Sequence, residues 1–291
     1  MKKIFYSILI FLLILLNFST ACADDVDNEV DFEDTIEVTA SNVSELPKTN
    51  SRRYIVYDRI SKSMIIGKNE DVKSAMASTT KIMTTIVILE KTDLNETVTV
   101  SAKAGGTGGS RLGLKRGDKA SVRDLLYGLM LRSGNDAAVA LAEHVGGSVK
   151  EFAELMNEKA SELGLTNTHF VTPHGLDDAN HYTTALELAK LTDYAIDNET
   201  FAKIVGTKST TIYINNQPRQ INNTNELLGM LNGVVGVKTG FTNNAGRCLV
   251  TETKRNNMDI ITIVLGADTK KDRTKDSVNL IEYTFSKYKM Y

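Results

Sequence analysis

The chain has 291 residues, 42% of them hydrophobic, and a formal net charge of −2. That is enough apolar material for one sizeable core, and the near-neutral balance gives no electrostatic case for nucleic-acid binding. Two cysteines, Cys22 and Cys248, exclude a disulfide scaffold.

In chain order, Lys2 and Lys3 precede an apolar run from Ile4 to about Phe18, and Ala21-Cys22-Ala23 supplies a small-x-small cleavage site. Residues 1–23 read as a signal peptide cleaved after Ala23, which makes the chain an exported, extracytoplasmic protein. A lipid anchor at Cys22 and an uncleaved leader serving as an anchor are the alternatives. Residues 24–50 read as an acidic linker, with Asp24 to Asp34 dense in Asp and Glu and therefore solvated. The domain spans 51–291. Arg53 to Asp58 and Ser63 to Gly67 predict a hairpin, and the almost all-round apolar run Ile82, Met83, Ile86, Val87, Ile88, Leu89 predicts a buried helix opened by Ser78. The middle, about 90–200, reads as mostly helical, with one helix from Val122 to Arg132, a break at Gly134 and a second helix through Ala142. Gly233-Val234-Val235-Gly236-Val237 leads a strand into Lys238-Thr239-Gly240, read as an edge strand meeting a turn. Two further strands, Arg247 to Thr253 and Met258 to Leu265, precede a closing helix with Leu280, Ile281 and Phe285. The sheet part is therefore 51–77 and about 230–291. Both ends of the chain build one antiparallel sheet, with helices flanking it and a helical middle inserted, an α+β class.

Three short motifs are spaced along this frame. Ser78-Thr79-Thr80-Lys81 puts a hydroxyl and an amine three residues apart on one face of a helix start, where the amine can reach the hydroxyl. The helix N-terminus there favours developing negative charge at Ser78 and disfavours protonation of Lys81. Ser133-Gly134-Asn135 occupies an inter-helix turn, from which short polar side chains can point into a cleft. Lys238-Thr239-Gly240 lies on a strand edge where glycine admits a second backbone, and where lysine and threonine can receive a carboxylate. A nucleophile with a basic neighbour, a polar turn and an anion-receiving strand point to acyl transfer.

These motifs, with Gly113 to Asp118, Leu129 to Ala138, Pro173-His174-Gly175-Leu176-Asp177-Asp178 and Lys238 to Thr242, resemble the low-molecular-weight penicillin-binding proteins that are serine-type D-alanyl-D-alanine carboxypeptidases. The resemblance runs from about Ser51 to the C-terminus. It implies the DD-peptidase/β-lactamase-like (transpeptidase-like) fold and removal of the terminal D-alanine from peptidoglycan stem peptides, with β-lactams as covalent inhibitors and no metal or organic cofactor. Carried over residue by residue, it makes Ser78 the nucleophile, Lys81 its base and Ser133 the proton relay to the leaving D-alanine. It makes Asn135 a holder of the acyl side, and Lys238 and Thr239 contacts of the terminal carboxylate, with Lys238 also helping to keep Lys81 neutral. Gly240 makes room for the substrate backbone. The backbone N–H groups of Ser78 and Phe241 form an oxyanion hole. Arg273 falls where some relatives place an arginine near the substrate carboxylate; a solvated arginine at a helix start is the other reading.

The chain departs from the family in having Met76 where proline is common and Phe241 where some relatives have histidine or tyrosine. It stops too soon for a C-terminal β-rich domain or a membrane-binding C-terminal helix. Two rivals remain: a β-lactamase of the same fold, for which no Glu-x-x-Leu-Asn segment follows Asn135, and a non-catalytic penicillin-binding sensor or wall-binding module. Arg116-Gly117-Asp118 reads as a turn and Gly105 to Gly109 as a mobile loop beside the cleft. The four histidines, His144, His169, His174 and His181, lack metalloprotease spacing, and His174 is expected to position a loop.

Overall fold

The computed structural model describes residues 45–288; the leader and most of the acidic linker lie outside the described residues. A five-stranded antiparallel sheet has the order β2-β1-β9-β8-β7, built from β1 (Arg53–Asp58), β2 (Ser63–Lys68), β7 (Val234–Thr242), β8 (Gly246–Arg255) and β9 (Met258–Ala267). The two ends of the chain meet at β1 and β9, where Ile55 pairs with Ile263. Strands β8 and β9 are covered on both faces; β9 is accordingly apolar almost without interruption, while β8 is apolar at Cys248, Leu249 and Val250 and buries the polar Thr251, Glu252 and Thr253 after them. Ser51 seals the junction of the two ends, its backbone N–H and hydroxyl both donating to Asp276.

On one face of the sheet lies α8 (Lys270–Lys287), with Leu280 and Ile281 against Val264 and Leu249. The other face packs on the helical body. At its centre runs α1 (Lys81–Lys91), buried all round through Ile82, Met83, Ile86, Val87 and Ile88. Around it stand α3 (Val122–Leu131), α4 (Asn135–Gly146), α5 (Val149–Glu162), α6 (Ala185–Ile196) and α7 (Glu199–Val205), while the one-turn α2 (Ala102–Gly105) packs on α4. Ser121, Ser148, Thr184, Asn198 and Thr269 each accept a backbone N–H three residues on, satisfying helix-start donors at about 1 kcal/mol apiece.

The α+β class, the hairpin, the paired helices around Gly134 and the three C-terminal strands are as the sequence predicts. Four features differ or are additional. Ser78 does not cap α1: it lies in a 3-10 turn, Ala77–Thr80, and its hydroxyl is taken by Lys81. Lys238-Thr239-Gly240 sits inside β7, on the sheet edge but before its turn. Two small antiparallel pairs join the helical body, β3 (Thr97–Thr99) with β4 (Lys119–Ser121) and β5 (Ser209–Ile214) with β6 (Gln217–Asn222). Among the described residues, no helix is long and apolar enough to cross a membrane.

Candidate active site

The three motifs converge where the sheet edge meets the helical body. Lys81 is fully buried at the first turn of α1, and its Nζ lies 2.8 Å from Ser78 Oγ, 2.7 Å from Asn135 Oδ1 and 3.0 Å from the carbonyl oxygen of His174. The last two partners can only accept, whereas the serine hydroxyl can donate or accept. An uncharged amine in this place gives its two protons to Asn135 and His174, and its lone pair then faces the proton of Ser78. The arrangement fits a base poised on a nucleophile.

Asn135 is held on both sides. Its Nδ2 donates to Gly108 O at 2.8 Å and its backbone N–H to Ser110 O at 2.7 Å, so the 108–110 loop borders the site. Asp136, next in sequence and fully buried, fixes the continuation of that loop. Its Oδ1 accepts the N–H of Leu112 at 2.9 Å and of Ala137 at 3.0 Å, and its Oδ2 those of Gly113 and Leu114, each at 2.9 Å. Ser133 has a left-handed backbone, φ 59°, and its buried hydroxyl has no hydrogen-bond partner among the described residues. A non-glycine residue in that region and an unsatisfied buried hydroxyl each carry a cost, and both are features that gather at functional sites.

From the sheet side, β7 presses on the 77–80 turn that carries Ser78. A Cβ at Gly240 would lie 3.1 Å from the backbone nitrogen of Ser78 and 3.2 Å from Ala77 Cβ, so the glycine makes room for the turn that carries Ser78. Lys238 is buried, its Nζ donating to Thr239 O at 2.9 Å. Thr239 shares a 2.8 Å hydrogen bond with Thr224, whose backbone N–H donates to Leu131 O just ahead of Ser133. Phe241 is covered by the guanidinium of Arg247, 3.9 Å from the ring centroid.

A strap of residues 171–181 crosses the other side. Thr84 donates to Pro173 O at 2.7 Å, and the His174 contact with Lys81 is made by its carbonyl, not its ring. Burial pushes the His174 imidazole down to about 3, so the ring is neutral and its Nδ1 accepts the Leu176 N–H. Gly175 has φ +87° and no room for a side chain, since a Cβ there would meet Ala77 O at 1.9 Å. His181 Nδ1 accepts the Val171 N–H at 2.9 Å, which leaves the proton on Nε2 to be donated to Thr80 Oγ1 at 2.7 Å; that hydroxyl in turn donates to Ala77 O. Burial pushes His181 down to about 4, matching this neutral tautomer.

Arg273 is not the solvated helix-start residue that was one reading of it. It is buried at the start of α8, bound to Glu226, which also accepts the hydroxyl of Thr274. Burial pushes the Glu226 carboxyl upward, but the Arg273 charge and the Thr274 hydrogen bond outweigh it and hold the carboxyl below its ordinary range. The structure thus brings Ser78, Lys81 and Asn135 into direct contact and lays Gly240 against them. Sequence reasoning missed Asp136, His181, Glu226 and Thr224, whose partners are remote in the chain. A buried acid directly after the Ser-Gly-Asn turn was the one visible signal.

The family profile described as D-alanyl-D-alanine carboxypeptidase, peptidase S11, matches residues 39–269. The chain is 37% identical over 243 residues to the D-alanyl-D-alanine carboxypeptidase DacF of Bacillus subtilis, an alignment covering 81% of this chain and 62% of that protein. It is 38% identical over 270 residues to DacC of Escherichia coli, covering 84% of this chain and 64% of that one, so it spans just under two thirds of the length of these curated relatives. The crystal structure of the Streptomyces K15 DD-transpeptidase superposes with a TM-score of 0.78 at 34% identity, covering 83% of this chain and 99% of the other. This chain belongs to the S11 peptidase family, the D-alanyl-D-alanine carboxypeptidases.

Proposed function

We propose that the protein is a serine-type carboxypeptidase that removes the terminal D-alanine from peptidoglycan stem peptides through an acyl-enzyme on Ser78. The observation that carries this reading is the Lys81 amine, held by two acceptor-only partners with its third direction on Ser78 Oγ. In the first step Lys81 takes the Ser78 proton while Oγ bonds to the carbonyl carbon of the penultimate D-alanine. The carbonyl oxygen gains the charge, received by the backbone N–H groups of Ser78 and Phe241; donors of this kind are typically worth about 3 kcal/mol. The close approach of Gly240 to the Ser78 nitrogen supports this pairing of strand and turn. Collapse breaks the peptide bond, and the departing nitrogen takes a proton through Ser133. Water then attacks the ester, giving its proton to Lys81, and Ser78 Oγ leaves with a proton. Asn135 holds the acyl side, Lys238 and Thr239 receive the terminal carboxylate, and Arg273 supports that region. No step calls for a metal or organic cofactor.

The same acyl-enzyme is the one β-lactams would trap. Purified protein incubated with diacetyl-lysyl-D-alanyl-D-alanine should release D-alanine and be labelled by penicillin, and Ser78→Ala should do neither. Penicillin labelling of Ser78→Ala would overturn the nucleophile, and labelling of wild type without D-alanine release would favour a penicillin-binding sensor. The Streptomyces neighbour is named a DD-transpeptidase, which favours one second reading: transfer of the acyl group to an amine. Adding glycine or D-alanine as acceptor and measuring the new peptide separates transfer from hydrolysis. The exported location rests on the leader-like residues 1–23 and on the substrate lying outside the membrane.

A further inference from the structure

The strap that supplies the His174 carbonyl to Lys81 is rooted in the helical body, but its tip reaches the sheet. At the root, Thr84 holds Pro173 O, and the hydrogen bonds from Val171 to His181 and from His181 to Thr80 fix both ends. At the tip, Asp177 Oδ1 accepts the hydroxyl of Thr242 at 2.6 Å and Oδ2 accepts the backbone N–H of Asn244 at 3.2 Å. Thr242 is the last residue of β7 and follows Phe241 directly, and its hydroxyl oxygen also accepts the Ala245 N–H. One carboxylate therefore joins the segment that orients the base to the strand end on which the oxyanion would be received. We infer that Asp177 is a positioning residue: its latch to Thr242 and Asn244 holds the His174 carbonyl over Lys81 while holding the end of β7 beside Ser78. This inference rests on the acyl-transfer reading of the site.

The root contacts do not involve Asp177, so removing the latch leaves the fold and frees the tip, which carries His174 O, Gly175 and the exposed Leu176. The cost then falls on the chemical step and not on stability. A carboxylate accepting a hydroxyl and an N–H at a solvent-facing position biases a two-state segment by about tenfold. Asp177→Ala should accordingly lower kcat for diacetyl-lysyl-D-alanyl-D-alanine, and the rate of Ser78 acylation by penicillin, by about tenfold, with KM and Tm little changed. Asp177→Asn keeps an oxygen for the Thr242 hydroxyl and should recover most of the rate. Thr242→Val should slow the enzyme as Asp177→Ala does, and the double variant should be no slower than either single one. The inference is overturned if Asp177→Ala keeps kcat and acylation within twofold of wild type, if the asparagine variant is as slow as the alanine one, or if the two losses multiply. Wild type that is acylated but releases no D-alanine would count against the carboxypeptidase reading, while the acylation rates would still decide the latch.

Discussion

Replacing Asp136 by asparagine should weaken the protein and slow its acylation together. The carboxylate takes four backbone N–H groups, two on each oxygen, and is fully buried. An asparagine keeps one oxygen and turns the other into a donor, so in either orientation two N–H groups lose their acceptor and face an amide NH2. Each buried donor left unsatisfied costs about 1–3 kcal/mol, which puts the variant about 4 kcal/mol below wild type. Domain stabilities are about 5–15 kcal/mol, so the variant should fold but with little margin. With a urea slope of about 3 kcal/mol per molar for a domain of this size, the unfolding midpoint should fall by about 1–1.5 M. Loosening Leu112 to Leu114 also loosens Gly108 and Ser110, the partners of Asn135, so penicillin labelling of the still-folded variant should slow. The assay is urea unfolding followed by circular dichroism, with labelling rates measured well below the transition. An unchanged midpoint would refute the anchoring role, and a lowered midpoint with an unchanged labelling rate would refute the link from that anchor to Asn135.

Acid should destabilise the fold through His181. Its folded-state pKa, pushed down to about 4 by burial, lies below the unfolded value of about 6.5, so the unfolded chain binds the extra proton first. The stabilisation is complete above about pH 6.5 and is lost as pH falls toward 4, by about 3 kcal/mol for this group. His174, lowered by the same burial, acts in the same direction, and His181→Gln should show a shallower loss in pH-dependent unfolding. Gly175→Ala should abolish or cripple penicillin labelling, because a Cβ would lie 1.9 Å from Ala77 O on a φ of +87°; an alanine variant that labels at the wild-type rate would show that the strap is not pressed on the nucleophile turn. Cys248 is fully buried with its thiol pushed up to about 11 by burial, so iodoacetamide should leave it untouched in the native protein and alkylate it in urea.

What was legible in the sequence was what repeats locally. The apolar run of α1 and the alternating and continuous patterns of β1, β2, β8 and β9 each declare themselves within ten residues or so. The β5–β6 hairpin went unread because Ser209–Ile214 buries only Ile212 and Ile214, Gln217–Asn222 buries only Ile221, and Gln217-Pro218-Arg219-Gln220 has little strand character. The contact between Ser78 and Lys81 follows from a spacing of three on a helical turn, but the other two partners of Lys81 are 54 and 93 residues away. Asp136 looks like an ordinary helix-start acid, and its hold on residues 112–114 has no local signature. Arg273 shows the same limit: charge type suggested a solvent-facing or substrate-facing residue, and only the placement of Glu226 beside α8 explains its burial.

The sheet is completed by chain ends more than 200 residues apart in sequence, and this sets an order of events. The neighbour of β1 is β9, Met258–Ala267, so until those distant strands pair the β1–β2 hairpin has one edge open, while the helical segments, whose contacts are nearer in sequence, can assemble first. Ser78 and Lys81, the proposed nucleophile and base, share a turn in the first third of the chain, but Gly240 and the strand it belongs to lie near the end. A partly synthesised or C-terminally clipped chain thus carries Ser78 and Lys81 without the wall of the cleft that faces them. On the proposed mechanism, a chain broken before Ala267 lacks the strands that complete this wall and should fail to be labelled by penicillin, instead of being labelled as a slower copy of the whole.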